Sequence, residues 1–185
     1  MTQEAQQALR LRTSSEEATL DLGRTLGTAI LEAIPLKTSP GVTVLLSGDL
    51  GTGKTTLVRG IGDALGAMRV RSPSFTLINE YHTTSLSIVH ADLYRLKSGM
   101  AGGLGLEEYH DAPCVLLIEW PERWAGLAKC DALKIFIESR SENERDFEIS
   151  SKGEVADLLL QNLRNARNDK NGKFDSGAGL QFTLD

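Results

Sequence analysis

The chain has 185 residues, 41% of them hydrophobic, and a formal net charge of −5, which fits one domain with a sizeable core, since a domain takes roughly 100–200 residues. An acidic balance disfavours a protein that grips tRNA or DNA through its own surface, because phosphate charge dominates that affinity. No run approaches the roughly 20 apolar residues of a bilayer span, and the polar stretch Met1 to Thr13 lacks the apolar centre of a signal peptide, so the expected compartment is the cytoplasm.

Residues 1–13 read as a lead or a first edge strand. Ser14 precedes Glu17 by three, a capping-box pattern, and Ala18, Leu22, Leu26, Ile30 and Ala33 follow at helical spacing up to Pro35. Pro40 and Gly41 mark a turn. Val42 to Leu46 form a short apolar run, as expected of a strand buried on both faces. After Gly48 to Thr55, a second helix carries Leu57, Val58, Ile61 and Leu65; Gly60 and Gly62 lie within it and permit close packing. Phe75 to Tyr81 and Leu86 to His90 read as strands joined by a polar turn. The glycine-rich stretch Leu93 to Tyr109 reads as a mobile connection. Val115 to Ile118 form a second buried strand ending at Glu119, and Cys114 beside it reads as core. Cys114 and Cys130 form no CxxC pair and are not spaced with His82, His90 and His110 as zinc ligands. Leu133, Ile135 and Ile137 alternate with polar neighbours, which predicts a strand nearer an edge. A last helix is expected over about 154–166, and a disordered tail over 168–185. The fold class expected is α/β, a P-loop NTPase fold with a central, mainly parallel sheet, flanking helices and additional antiparallel strands, built as one domain over 14–167.

The strongest chemical signal is Gly48-Asp49-Leu50-Gly51-Thr52-Gly53-Lys54-Thr55, a full match to G-x-x-x-x-G-K-[ST] between a buried strand and a helix. Glycines let the backbone curl so that successive N–H groups face an anion, and the helix adds its positive end. Asp49, Leu50, Gly51, Thr52 and Gly53 are therefore expected to line ATP, with Thr56 following. Lys54 is placed for the β- and γ-phosphates, and the Thr55 hydroxyl suits Mg2+, a hard cation that takes oxygen ligands. No N-K-x-D guanine-reading motif occurs, which favours adenine.

Such a site needs an acid at the carboxyl end of a buried strand. Glu119 meets that description, as metal ligand or as a strand-ending surface carboxylate. Asp92 could orient water, hold magnesium through water, or sit in a solvated turn. His90 reads as acid, base or packed residue, with packing or orientation favoured, and Arg95 as a phosphate or ion-pair partner. Trp120 could shield a nucleotide or pack in the core. Ser72-Pro73-Ser74-Phe75-Thr76 form a hydroxyl-rich turn in which Ser74 could sense a γ-phosphate.

The loop with Thr56, then Ser72-Pro73-Ser74-Phe75, His90-x-Asp92-x-Tyr94-Arg95, Gly105-Leu106-Glu107-Glu108-Tyr109 and Glu119-Trp120-Pro121-Glu122, in this order, resemble the bacterial TsaE (YjeE) proteins. The resemblance covers about residues 14–150. It implies a small Mg2+-dependent ATPase, slow alone, required for threonylcarbamoyl modification of adenosine in tRNA. It implies action with the TsaD–TsaB pair, with tRNA met indirectly through that complex. On this reading Lys54, Asp92 and Glu119 carry catalysis, Thr55 and Glu119 the metal, and Ser74 and Trp120 lie at the nucleotide. Ser74 stands where the family usually has Thr, Met100 to Gly103 replace a more acidic segment, and the tail has no counterpart. The alternative function is a P-loop small-molecule kinase, which shares the loop but needs an acceptor pocket and a cationic lid; the sequence has no arginine-dense lid segment.

Overall fold

The two unbroken apolar runs become neighbouring strands at the centre of one sheet. The computed structural model describes residues 8–33, 41–84, 86–97, 103–125, 131–168 and 180–182. In chain order its elements are β1 (Leu9–Thr13), α1 (Glu16–Ala33), β2 (Val42–Ser47), α2 (Lys54–Ala64), β3 (Ile78–His82), β4 (Ser87–Asp92), α3 (Leu106–Asp111), β5 (Cys114–Glu119), β6 (Ala132–Ser139), β7 (Arg145–Lys152), α4 (Glu154–Asn168) and β8 (Leu180–Phe182). The sheet order is β3-β4-β5-β2-β6-β7-β1-β8. Strands β4, β5, β2 and β6 run parallel, and every pairing outside them is antiparallel. This is the expected α/β class, with a parallel centre and antiparallel additions.

Alternation along β2 and β5 divides their side chains between two cores. Val44, Leu46, Val115 and Leu117 meet Leu57, Val58 and Ile61 of α2 and Leu22, Leu26 and Ile30 of α1. Leu45, Leu116 and Ile118 enter the second core with Val89, Leu106 and Trp124. Both faces being covered, neither run shows a polar period. Cys114 belongs to the second core, where burial pushes its thiol up to about 11.

Several local expectations change. Ser15, not Ser14, caps α1: its Oγ accepts the Ala18 N–H at 3.0 Å. Strand β6 is interior, between β2 and β7; its alternation arises because Leu133, Ile135 and Ile137 face the helices while Lys134, Phe136 and Glu138 face outward. Strand β7, unforeseen, has only Phe147 and Ile149 as inward apolar residues. Strand β1 is no edge: β7 flanks it on one side and β8, from within the expected tail, on the other. The stretch 93–109 contains the start of α3. Pro35, Pro40, Met100 and Cys130 lie outside the described residues.

Helices α1 and α2 touch backbone to backbone. A Cβ on Gly60 would lie 2.1 Å from the Leu20 carbonyl oxygen and 2.9 Å from the Gly23 Cα, so this glycine permits the close packing read from the sequence. On the outer side of β1 and β7, Arg12 donates to both Asp146 oxygens at 2.6 and 3.0 Å, and Arg140 donates to Oδ2 at 2.5 Å. The Arg12 hydrogen bonds, aided by Arg140 against a smaller opposing effect of burial, hold the Asp146 carboxyl down at about 2.

Gly60→Ala is expected to lower stability by about 1–3 kcal/mol through overpacking, read as a lower urea midpoint at unchanged slope. Because the folded-state pKa of Asp146 is depressed, its contribution is full above the unfolded carboxyl value of about 4 and is lost as pH falls from there through about 2. Asp146→Asn should therefore flatten the acid limb of a stability–pH curve; an unchanged limb would remove this pair from the account.

Candidate functional site

Three parallel strands end side by side: β4 at Asp92, β5 at Glu119 and β2 at Ser47. The register sets Asp92 opposite Glu119 and His90 opposite Leu117. Alternate residues of a strand share a face, so His90, Asp92 and Glu119 emerge together on the side that α2 covers. The chain leaving β2 turns through Gly48–Gly53 and enters α2 at Lys54. Gly48 has φ 139°, and a Cβ there would stand 2.2 Å from the Ile137 carbonyl oxygen, so no other residue fits this first position. Thr52 closes the curl, with its hydroxyl donating to the Asp49 carbonyl at 3.0 Å. Asp49, Leu50 and Gly51 form the exposed crest, and Gly53 (φ 95°) precedes the helix.

Lys54 is only 4% exposed. Its Nζ donates to the carbonyls of Gly48 and Asp49, each at 2.7 Å, and lies 4.3 Å from the centre of the Trp120 ring. Burial lowers its pKa, opposed by the charges of Glu119 and Asp92. The ammonium is thus desolvated and held by neutral acceptors, an arrangement that favours an arriving anion.

Below it, Thr55 Oγ1 donates to Glu119 Oε1 at 2.8 Å, and His90 Nε2 lies 2.9 Å from the same oxygen. Glu119 is 3% exposed and His90 fully buried. A carboxylate only accepts, so Nε2 is the protonated ring nitrogen; Nδ1 is buried and has no hydrogen-bond partner among the described residues. Of the readings left open for His90, the geometry is that of an orienting group. Thr55 and Glu119 form an all-oxygen pair of the kind Mg2+ takes, together with waters and phosphate oxygens. The residues present therefore fit both a phosphate chain and a hard cation, and could hold them.

Asp92, 6% exposed, accepts the Tyr94 N–H at 3.0 Å and the Ser72 hydroxyl at 3.3 Å, and its own N–H donates to the Leu77 carbonyl. The hydroxyl-rich turn is thus tied to Asp92 through Ser72. Ser74, half-buried, has no side-chain hydrogen bond among the described residues. Arg95 lies over the Phe75 ring at 4.8 Å, a cation–π contact. Trp120 has a left-handed backbone (φ 60°, ψ 49°), and its N–H donates to the Leu46 carbonyl. That turn brings the indole over Lys54 and against Tyr94, centroids 5.0 Å apart. The partners of His90, and the links made by Ser72 and Tyr94, are the parts sequence reasoning missed, although orientation is a role it favours for His90; the spacing His90-x-Asp92, which puts both side chains on one strand face, is the signal that could have found the first.

Replacing Lys54 by Met should leave unfolding cooperative, with a urea midpoint little changed, because relief from burying the cation offsets the lost attraction of Glu119 and Asp92. A lost cooperative transition in circular dichroism would contradict this placement.

The family model "Threonylcarbamoyl adenosine biosynthesis protein TsaE" matches residues 13–147. The tRNA threonylcarbamoyladenosine biosynthesis protein TsaE of Bacillus subtilis (strain 168) is 35% identical over 133 residues, which span 71% of this chain and 84% of that protein. The protein of the same name from Nostoc sp. (strain PCC 7120) is 40% identical over 122 residues, spanning 63% and 70%. The crystal structure of Bacillus subtilis YdiB superposes with a TM-score of 0.68 at 29% identity, covering 90% of this chain and all of that one. Among the described residues, no helix is long and apolar enough to cross a membrane. Four of the five blocks, all but Gly105–Tyr109, converge at the ends of the parallel strands, and the family match runs through all five: the chain belongs to the TsaE family, whose role lies in threonylcarbamoyladenosine biosynthesis on tRNA.

Proposed function

We propose that this chain is a cytoplasmic, Mg2+-dependent ATPase that serves threonylcarbamoyl modification of tRNA adenosine, acting with a TsaD–TsaB type pair and meeting tRNA through that complex. The observation that carries the reading is the hydrogen-bonded chain from half-buried Thr55 to buried Glu119 and His90, next to Lys54. Bound MgATP supplies the reactive γ-phosphoryl group and the leaving diphosphate. The backbone of Asp49 to Gly53 and the start of α2 cradle the phosphates, with Thr56 in the first turn, and Lys54 leaves its carbonyl partners to neutralise their charge. Thr55 and Glu119 hold the cation, and His90 orients Glu119 as outer hydrogen-bond partners do at metal sites. Asp92, held by Tyr94 and Ser72, orients the attacking water, and Ser74 senses the γ-phosphate from the adjoining turn. Trp120 covers the Lys54 side of the site and limits access of bulk water. The acidic chain, at −5, leaves tRNA contact to its partners.

The test is phosphate release from MgATP by the chain alone and with its matching TsaD–TsaB pair and tRNA. The expectation is slow turnover alone, a changed rate with the pair, and loss of both in Lys54→Ala. Asp92→Ala should lower turnover by about 100-fold or more while ATP affinity stays near parent, as for a residue that orients the nucleophile. Phosphate reaching a small metabolite instead of water would replace the ATPase reading with a kinase.

A further inference from the structure

The left-handed turn at Trp120 is a costly place for an aromatic residue, since positive φ strains a bulky side chain. Its backbone is pinned from both ends. The Trp120 N–H reaches the Leu46 carbonyl at 3.1 Å, and the turn closes with Arg123 N–H on the Trp120 carbonyl and Trp124 N–H on the Pro121 carbonyl. Trp124 is itself buried, and its Nε1 donates to Glu107 Oε1 at 2.8 Å. None of these bonds reaches the half-buried indole of Trp120.

Arg123 does reach it. Its guanidinium carbon lies 5.7 Å from the centre of the Trp120 ring and 5.7 Å from that of Tyr94, within the range of a cation–π contact. Its Nη1 donates to the Leu96 carbonyl. Leu96 closes the short turn after β4, where its N–H donates to the Leu93 carbonyl at 3.0 Å. That same turn supplies the Tyr94 N–H to Asp92. One side chain thus grips both the turn that leaves β4 and the aromatic ring that follows β5. Through the first it bears on the Asp92 carboxylate, and through the second on the ring over the Lys54 ammonium. A planar guanidinium suits the task, with several donors along its edge and faces that stack on rings.

We propose that Arg123 is a positioning residue for ATP hydrolysis, which holds the Trp120 ring over Lys54 and the Asp92 carboxylate in one fixed relation. The inference rests on the ATP reading above. Arg123 acts through Trp120 and Tyr94 rather than on the nucleotide. Its loss should therefore show in turnover and not in affinity: misplacing the group that orients the nucleophile raises the barrier, while the glycine loop and Lys54 still bind phosphate. The turn itself should survive the loss, because its backbone is pinned at Leu46 and at Trp124.

Arg123→Met keeps an unbranched stem and removes the charge and the donors; Arg123→Lys restores a cation and a donor. Phosphate release at saturating MgATP is expected to fall about tenfold or more in the Met variant, with ATP affinity by calorimetry within about twofold of the parent. The Lys variant should regain part of the lost rate. A second readout needs no nucleotide. In a Trp124→Phe background Trp120 is the sole indole of the chain, and acrylamide should quench its fluorescence more strongly once Arg123 is replaced by Met. Unchanged turnover, equal losses of turnover and affinity, a Lys variant no better than Met, unchanged quenching, or a Met variant without cooperative unfolding would each overturn the positioning role while leaving the ATP reading intact. A parent chain that does not bind MgATP, or releases no phosphate from it, would overturn the ATP reading and this inference with it.

Discussion

A carboxylate taken out of water must be met by donors, and the Glu119 side chain is met by two, from Thr55 and from His90. Those donors come from different elements, the first turn of α2 and the middle of β4. The bond to Thr55 therefore fixes the glycine loop against the end of β5, and the bond to His90 fixes β5 against its neighbour on the other side. Breaking either partner away would leave a buried charge poorly compensated, which costs far more than one exposed ion pair contributes. The side-chain geometry of the site and the packing of the sheet at this edge are accordingly one problem with one solution.

The sheet divides into two halves with different duties. The parallel half, β4-β5-β2-β6, brings chain ends and helix starts to one edge, where polar groups meet while both faces stay dry. The antiparallel half, β7-β1-β8, has one face against α4 and α1 and the other carrying Arg10, Arg12, Asp146 and Glu148. Charged ladders of this kind suit a solvent-facing surface, where each pair adds little alone but marks which side faces out. The turn that joins the two halves, between β6 and β7, lies beside the glycine loop, so the scaffold half also supplies a wall to the site.

How far this was legible in the sequence depends on the range of the interaction. Val42–Leu46 and Val115–Ile118 announce themselves because burial on both faces leaves a contiguous run with no charged residue and a single polar one, Thr43. The glycine loop is legible because its geometry is local: Gly48 must pass within van der Waals range of β6 and Lys54 must open the helix. Glu119 is legible by its position after a buried strand. Its partners are not, since Thr55 and His90 stand 64 and 29 residues away and only the register brings them together. Strand β7 carries two inward apolar residues in eight, too few for a period to show, and is defined by its neighbours instead. The alternation in β6 reports an uncovered face, which looks the same in sequence as a place near the edge. Strand β8, three residues long within a polar stretch, has no signal apart from the partner it pairs with.

The position of β1 has a consequence for how the chain is made. This strand is made well before its two neighbours, β7 and β8, which begin at residues 145 and 180. Synthesis runs at about 5–20 residues per second, so β1 waits many seconds with both hydrogen-bonding edges bare. Its sequence, Leu-Arg-Leu-Arg-Thr, places a cation at every second position. Those arginines, which later pair with Asp146 and Glu148, guard the nascent strand against joining another chain in the interval, as charges on open edges generally do.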